Sequence, residues 1–382
     1  MSAQRYKVQN SNDVVPTGYV SAPDKGMLII VIFLALIGIM MILSAGASKC
    51  TALGVNPGSF AMKQLFWFFA GLFGMFYFSK LNYKKLPKYT VPFAWFVVFL
   101  LALVDFTSLG VMVNGAKRWL ALGPVQFQPS EMTKPAVAML LAAAFAKDIS
   151  LFNQEKIQKY FLPIVCMVIL TAAQPNLSMV IIIGLVSLIM YVTAGGSIRM
   201  LLTMAGAAFA VLCLKIKPYQ MSRIKVWLDP ELDPYGGGYN IIQSLLAFVS
   251  GGFFGVGYGA GRQKLEWLPE AHTDFIYAVI GEEWGFLGCL AIIWLFLWFI
   301  YRGVTTAKNC KDMYGKLLAT GLTFSIGAQA FINMSVASSF IPATGVPMPF
   351  ISYGGTSLFV TMCMIGIILN ISKIRITRTQ NV

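Results

Sequence analysis

The chain has 382 residues, of which 57% are hydrophobic and only 12% charged, with a mean hydropathy of +0.72. Its long uncharged runs exclude an ordinary soluble enzyme, and their lack of period-two alternation excludes an outer-membrane barrel. A net charge of +14 would suggest nucleic acid for a soluble protein; here it fits basic cytoplasmic loops facing anionic lipid, and no nucleic-acid partner is expected.

Residues 1–26 are polar and read as a flexible cytoplasmic tail. LSAGASKC follows the first apolar run, but Lys49 before Cys50 and the long leading segment argue for a retained helix rather than a cleaved signal. The candidate spans are Met27–Ser44, Phe60–Phe78, Thr90–Asp105, Met132–Ala146, Phe161–Ala173, Leu177–Val192, Met200–Leu214, Phe275–Ile300, Leu317–Ala337 and Ile351–Ile371. The expected fold is therefore all-α: a polytopic integral membrane protein whose bundle, residues 27–371, has about ten transmembrane helices. Lys80, Lys84, Lys85, Lys88, Lys147, Lys156, Lys159, Arg199, Arg302, Lys308, Lys311, Lys316 and the basic tail 372–382 then share one face. The positive-inside rule makes that face cytoplasmic, together with both termini.

Two loops are exported: Thr107–Glu131, and a large extracytoplasmic loop, 215–274, between the seventh and eighth spans. The second is too long for a connector, and LLAFVSGGFFGVGYGAG within it is apolar enough to lie at or dip into the interface. Its glycines from Gly251 to Gly261 permit tight turns and close backbone approach. The six cysteines are scattered without a CxxC pair, so neither a disulfide framework nor a zinc site is indicated.

Acidic residues are scarce, yet Glu266, Glu270, Asp274, Glu282 and Glu283 gather with the sole histidine, His272, where this loop meets an apolar run. Ionisable groups near hydrocarbon must be paired, hydrated or functional, which singles out Asp274 as the centre of an outward-facing site. Its ordinary alternative is an N-cap for the helix beginning at Phe275.

Several separated motifs resemble the shape, elongation, division and sporulation (SEDS) family, whose members polymerise peptidoglycan from lipid II. They are NGAKRWL (114–120), FQPSEMTK (127–134), AQPNLS (173–178), RIKVWLDPELDPYGGGYNIIQS (223–244), GVGYGAGRQKLEWLPEAHTDFIYAVIGEEWGFLG (255–288) and IPATGVPMPFISYGGTS (341–357). The likeness covers Ile29–Ile371 and leans to the division member through LPEAHTDFI and the final glycine-rich motif. It implies that Asp274, the acid of HTDF, is required for polymerisation, and that Arg118 and Trp119 belong to the same site. It also implies lipid II as substrate, a class B penicillin-binding transpeptidase and other division membrane proteins as partners, and the bacterial cytoplasmic membrane at the septum as location. The sequence departs from the family at Asn176, where an aspartate is usual.

Glycan extension requires a sugar hydroxyl to attack an anomeric carbon from which a lipid pyrophosphate departs as an anion. One general base and cations for the phosphates suffice in principle. Asp274 is the candidate base; Arg118, Lys117, Arg223, Lys225, Arg262 and Lys264 are candidate phosphate ligands, and Trp119 could pack a sugar face. A divalent cation, Mg or Mn, near Asp274 is left open as cofactor. His272 and Glu270 read as supporting residues. Glu131 and Lys134, three apart, read as an ion pair; Glu282 and Glu283 read as buried within the bundle, with Lys134 or Arg118 as candidate partners. Ser352 and Tyr353 offer neutral hydrogen bonds from a broken loop lining the cavity. Three function classes follow: lipid II glycosyltransferase in division or, alternatively, elongation; lipid II flippase; and non-catalytic division scaffold.

Overall fold

The computed structural model describes residues 22–113, 116–123, 125–149, 154–200, 202, 203, 206, 218–265 and 267–373. The protein is an all-α polytopic membrane protein. Among the described residues, seven helical stretches are long and apolar enough to cross a membrane. Three open the chain: α1 (Lys25–Ala52), α2 (Ser59–Lys80) and α3 (Leu86–Phe106). Two shorter helices flank the next: α4 (Thr133–Phe145), then α5 (Leu162–Ala173, extended backwards by helical turns to Gln154), then α6 (Leu177–Thr193). The long loop holds α7 (Pro218–Leu228) and α8 (Tyr239–Gly251), and the chain closes with α9 (Ile276–Asn309), α10 (Met313–Ala337) and α11 (Gly355–Ser372). The predicted seventh span, Met200–Leu214, lies outside the described residues except for Met200, Leu202, Thr203 and Gly206.

Burial separates two kinds of apolar helix. Every residue of α4 is buried, because its alanines let neighbouring backbones approach closely on all sides. By contrast α2 leaves Phe66, Phe69, Phe73 and Phe76 exposed along its length, the pattern of a helix facing lipid.

The helix ends assemble into two polar layers. At one, the Asp24 side chain caps α1 by accepting from the Met27 backbone at 3.0 Å and also accepts from the Arg302 guanidinium at the end of α9. There Asn370 near the end of α11 donates to Ser79 O of α2 at 2.8 Å. At the other layer lie the end of α1, the start of α2, the end of α3 and the start of α9, joined by contacts described below.

The long loop doubles back into the bundle, and α9 is broken to receive it. Gly285 has φ +69° inside α9, so the local helical bonds are lost and must be replaced at a depth where water is scarce. Residues 252–257 replace them: Val256 and Gly257 N–H donate to the Glu282 and Glu283 carbonyls at 3.0 Å, while Phe286 and Leu287 N–H donate to Gly252 and Phe253 carbonyls at 2.9 and 3.3 Å. Side chains cannot fit between these backbones. A Cβ on Gly251 would sit 2.0 Å from Gly281 O, and one on Gly255 2.2 Å from Glu283 O.

The segment after α3 departs from the all-helical expectation. It forms a small antiparallel sheet, β1 (Gly110–Val113), β2 (Ala116–Leu122) and β3 (Val125–Phe127), in the order β1-β2-β3. Val111 pairs with Trp119 and Leu120 with Phe127. Lys117 Nζ donates to Thr107 O at 2.6 Å, tying β2 to the end of α3.

Candidate active site

Asp274 sits at the end of a turn that Glu270 organises. The Glu270 carbonyl accepts from Thr273 and Phe275 N–H at 3.1 and 3.3 Å, and its carboxylate accepts from Thr273 Oγ1 at 2.7 Å and pairs with Lys49 at 3.2 Å. His272 is buried and stacks on Phe60 of α2, with ring centroids 5.0 Å apart and 11° between planes. Asp274 does not cap α9: the cap position is Phe275, and no side chain accepts there. The ordinary reading of Asp274 is therefore not the one realised.

A second segment, Ile341–Tyr353, is laced to the same turn. Ser352 Oγ donates to Thr273 O at 2.5 Å, and Tyr353 N–H donates to His272 O at 2.9 Å. From α10, Asn333 Nδ2 donates both to Asp274 O and to Val346 O at 2.8 Å, and Gln329 Nε2 donates to Pro347 O at 2.8 Å. Gln329 and Asn333 are four residues apart and so share one helix face. These amides were not anticipated from the sequence; the available signal was two carboxamides inside an apolar run, which must find partners there.

The cations come from two other elements. Arg118 on β2 donates through Nε to Gln174 O at 3.0 Å and through Nη2 to Pro175 O, both just beyond α5. Its Nη1 faces Asp274 across Gly345: a methyl on Gly345 would lie 3.6 Å from Arg118 Nη1 and 3.3 Å from Asp274 Oδ2. Arg223 on α7 donates to Ala343 O at 3.2 Å, and Trp227 of the same helix donates to Ser339 O at 2.9 Å.

Burial raises the Asp274 carboxyl from its ordinary value to about 7; the Glu270 charge adds to the rise, and Arg118 and Arg223 oppose it. For Glu270, burial is outweighed by the Thr273 hydroxyl and Lys49, so its carboxyl stays below the usual range. Burial, with Lys49 adding to it, pushes the His272 imidazole down to about 4, leaving it neutral near pH 7. Of the three groups on this turn, Asp274 is the one whose carboxyl is raised toward neutrality.

Other residues expected at the site are placed elsewhere. Lys264 is buried and pairs with Glu283 at 2.5 Å, with Ser44 donating to the same Glu283 oxygen at 2.6 Å. This corrects the expected Glu283 partners, Lys134 and Arg118: the carboxylate faces the returning loop, which carries Lys264. Glu282 likewise accepts from Arg262 and Gln263 backbone N–H at 2.7 and 3.2 Å. Lys134 pairs with Glu131 at 2.6 Å and donates to Gln329, while Ser357 Oγ donates to Glu131 at 2.9 Å. Lys225 and the Arg262 side chain are exposed, Lys117 is turned to Thr107, and Trp119 is half-buried in the sheet. Asn176 caps α6, accepting from Met179 N–H at 3.4 Å and donating to Ser130 Oγ at 3.3 Å. Among the described residues no group of three or more His, Cys, Asp or Glu gathers as a metal site. Near Asp274 stand two guanidiniums and a Glu270 already engaged by Lys49 and Thr273, a donor set that does not fit a hard divalent cation.

Residues 25–376 match the family model described as cell cycle protein, that of FtsW, RodA and SpoVE. The chain belongs to the FtsW/RodA/SpoVE family. It is 36% identical to the probable peptidoglycan glycosyltransferase FtsW of Geobacter sp. (strain M18), over 91% of this chain and 96% of that one. Stage V sporulation protein E of Bacillus subtilis is 34% identical, over 92% of this chain and 98% of the relative. Among solved structures, a chain of a peptidoglycan synthase complex that coordinates polymerization and crosslinking superposes with a TM-score of 0.75 at 28% identity, covering 93% of this chain and 98% of the other. The rod shape determining protein RodA of Thermus thermophilus gives 0.69 at 26% identity, covering 93% and 98%. In this FtsW/RodA/SpoVE chain the turn bearing Asp274, the segment 341–353 and the two arginines form one contiguous constellation.

Proposed function

We propose that the protein is a peptidoglycan glycosyltransferase that polymerises lipid II at the outer face of the cytoplasmic membrane during septal wall synthesis, with Asp274 as general base. The observation that carries this reading is the convergence on one segment of the Asp274 carboxylate and the Arg118 guanidinium, both beside Gly345, with Arg223 bonded two residues earlier at Ala343; burial raises that carboxyl to about 7. Asp274 takes the proton of the attacking sugar hydroxyl as its oxygen bonds to the anomeric carbon. The bond from that carbon to phosphate breaks, and its electron pair leaves with the lipid pyrophosphate. Arg118 and Arg223 stabilise the charge that develops there.

The helix ends support an even number of crossings with both termini on one face, the cytoplasmic one by the positive-inside rule. α1 ends and α9 begins in the layer that holds Asp274, whereas α1 begins and α11 ends in the opposite layer. The family relationship and the likeness to a synthase complex support a transpeptidase of the penicillin-binding class as partner.

The test is polymer formation from lipid II by purified protein, with any required transpeptidase present in equal amount. Asp274→Asn, folded and abundant, is expected to lose roughly 10²-fold or more of the rate. Arg118→Ala or Arg223→Ala should also lose rate, while Lys308→Ala is nearly silent. Near-normal polymerisation by Asp274→Asn would remove the residue from the mechanism.

A further inference from the structure

The same turn carries a second carboxylate that the reaction does not consume. Glu270 has φ +54°, a left-handed conformation that a residue with a side chain rarely adopts and that persists only when its surroundings over-determine it. Here they do: its carbonyl and carboxylate together take two backbone N–H groups, the Thr273 hydroxyl and the Lys49 ammonium. On its other side is a cavity of about 260 Å³ lined by Lys49, Lys264, Pro269 and His272. The Lys49 and Glu270 side chains are 44% and 31% exposed, so solvent screens the pair and neutralises Glu270 only in part.

We propose that Glu270, with Lys49 of α1 as its counterion, is a positioning residue for Asp274: it fixes the turn that presents the base and supplies the negative charge that faces it. This rests on the reading of Asp274 as the base. The charged groups whose fields act on Asp274 are Glu270 from its own turn, whose carboxylate is bonded to the adjacent Thr273, Arg118 from β2 and Arg223 from α7. His272 lies behind as a neutral ring, and the segment 341–352 carries no titratable side chain. The two arginines favour the ionised carboxylate and Glu270 opposes them. A base held by arginines alone would ionise readily but accept a proton weakly; Glu270 restores its basicity, and Lys49 limits how far.

The charge can be removed without dismantling the turn. Glu270→Gln keeps an oxygen that accepts from Thr273, and Lys49→Met removes only the counterion. The readout is the pH profile of lipid II polymerisation by the intact protein with its transpeptidase partner. Glu270→Gln is expected to move the midpoint of the acid limb to lower pH by on the order of one pH unit, and Lys49→Met to move it upward. A midpoint unmoved in both variants, whatever happens to the plateau rate, would reduce Glu270 to scaffolding and overturn the proposal, as would a shift of both in the same direction. Should Glu270→Gln fail to accumulate, Lys49→Met decides the question by itself. Asp274→Asn separates this from failure of the base assignment: an inactive Asp274→Asn beside unmoved midpoints rejects the Glu270 inference only.

Discussion

Gly255 and Gly257 lie two residues apart on the returning loop and both have positive φ, at +82° and +101°, yet alanine should affect them very differently. At either position the methyl adds the cost of a left-handed conformation, about 1–2 kcal/mol. Around Gly257 nothing lies within 4 Å of the added carbon, so the cost ends there. At Gly255 the carbon would meet Glu283 O at 2.2 Å and Gly285 N at 2.7 Å, both backbone atoms of the broken helix that no side-chain rotation can clear. Overpacking of that kind costs about 1–3 kcal/mol. Pushing the loop away also strains the Val256 and Gly257 hydrogen bonds to the Glu282 and Glu283 carbonyls, at about 1 kcal/mol each. Gly255→Ala should therefore be less stable than Gly257→Ala by about 3–5 kcal/mol. Unfolding of the purified variants in detergent, followed by tryptophan fluorescence against denaturant, measures the difference. Equal destabilisation would mean that backbone conformation alone decides these sites and that the loop is not wedged into α9.

Lys264→Met leaves the Glu283 carboxylate buried with Ser44 as its remaining partner and should cost about 3–5 kcal/mol, most of it recovered in the double variant with Glu283→Gln; a double variant no better than the single would refute the pairing. The Asp274 carboxyl is raised on folding from 3.8 to about 7, so the stability it contributes when protonated is present below the lower value and lost as pH rises through the upper. The melting temperature of Asp274→Asn relative to the native protein should accordingly rise between about pH 4 and pH 7 and level off above, and a constant difference would contradict the shift. Single cysteines replacing Ser108 and Gln263 should label from outside intact cells and those replacing Asn153 and Thr377 should not; external labelling at 377 would sink the ten-crossing topology.

The membrane helices were legible because apolar length alone specifies them. Predicted Leu177–Val192 is observed as Leu177–Thr193, and Phe161–Ala173 as Leu162–Ala173. The break in α9 was not, since EEWGFLG reads as a continuous run in which one glycine is tolerated, and the compensating hydrogen bonds come from residues some 30 positions earlier. The sheet was hidden for a different reason: its strands are short, and the Asn-Gly signal between them was read only as part of a motif. At the candidate site, the gathering of acids singled out Asp274 and the family resemblance Arg118, but charge counting could not say which lysines would be taken up by buried carboxylates. Lys264 was drawn away by Glu283, a partner that exists only once the loop has folded back.

That folding-back also explains how a site assembled from distant segments can hold a carboxyl near neutrality. If Arg118 or Arg223 were free to swing onto Asp274, the carboxylate would be stabilised and its basicity lost. Each guanidinium is instead fastened to main-chain carbonyls: Arg118 to Gln174 and Pro175, Arg223 to Ala343. Their charge reaches Asp274 while their positions are set by main chain. Asn333 does the complementary task from α10, fixing the Asp274 and Val346 carbonyls with one amide. The gap that Gly345 leaves between Asp274 Oδ2 and Arg118 Nη1 is therefore defined by main chain on several sides.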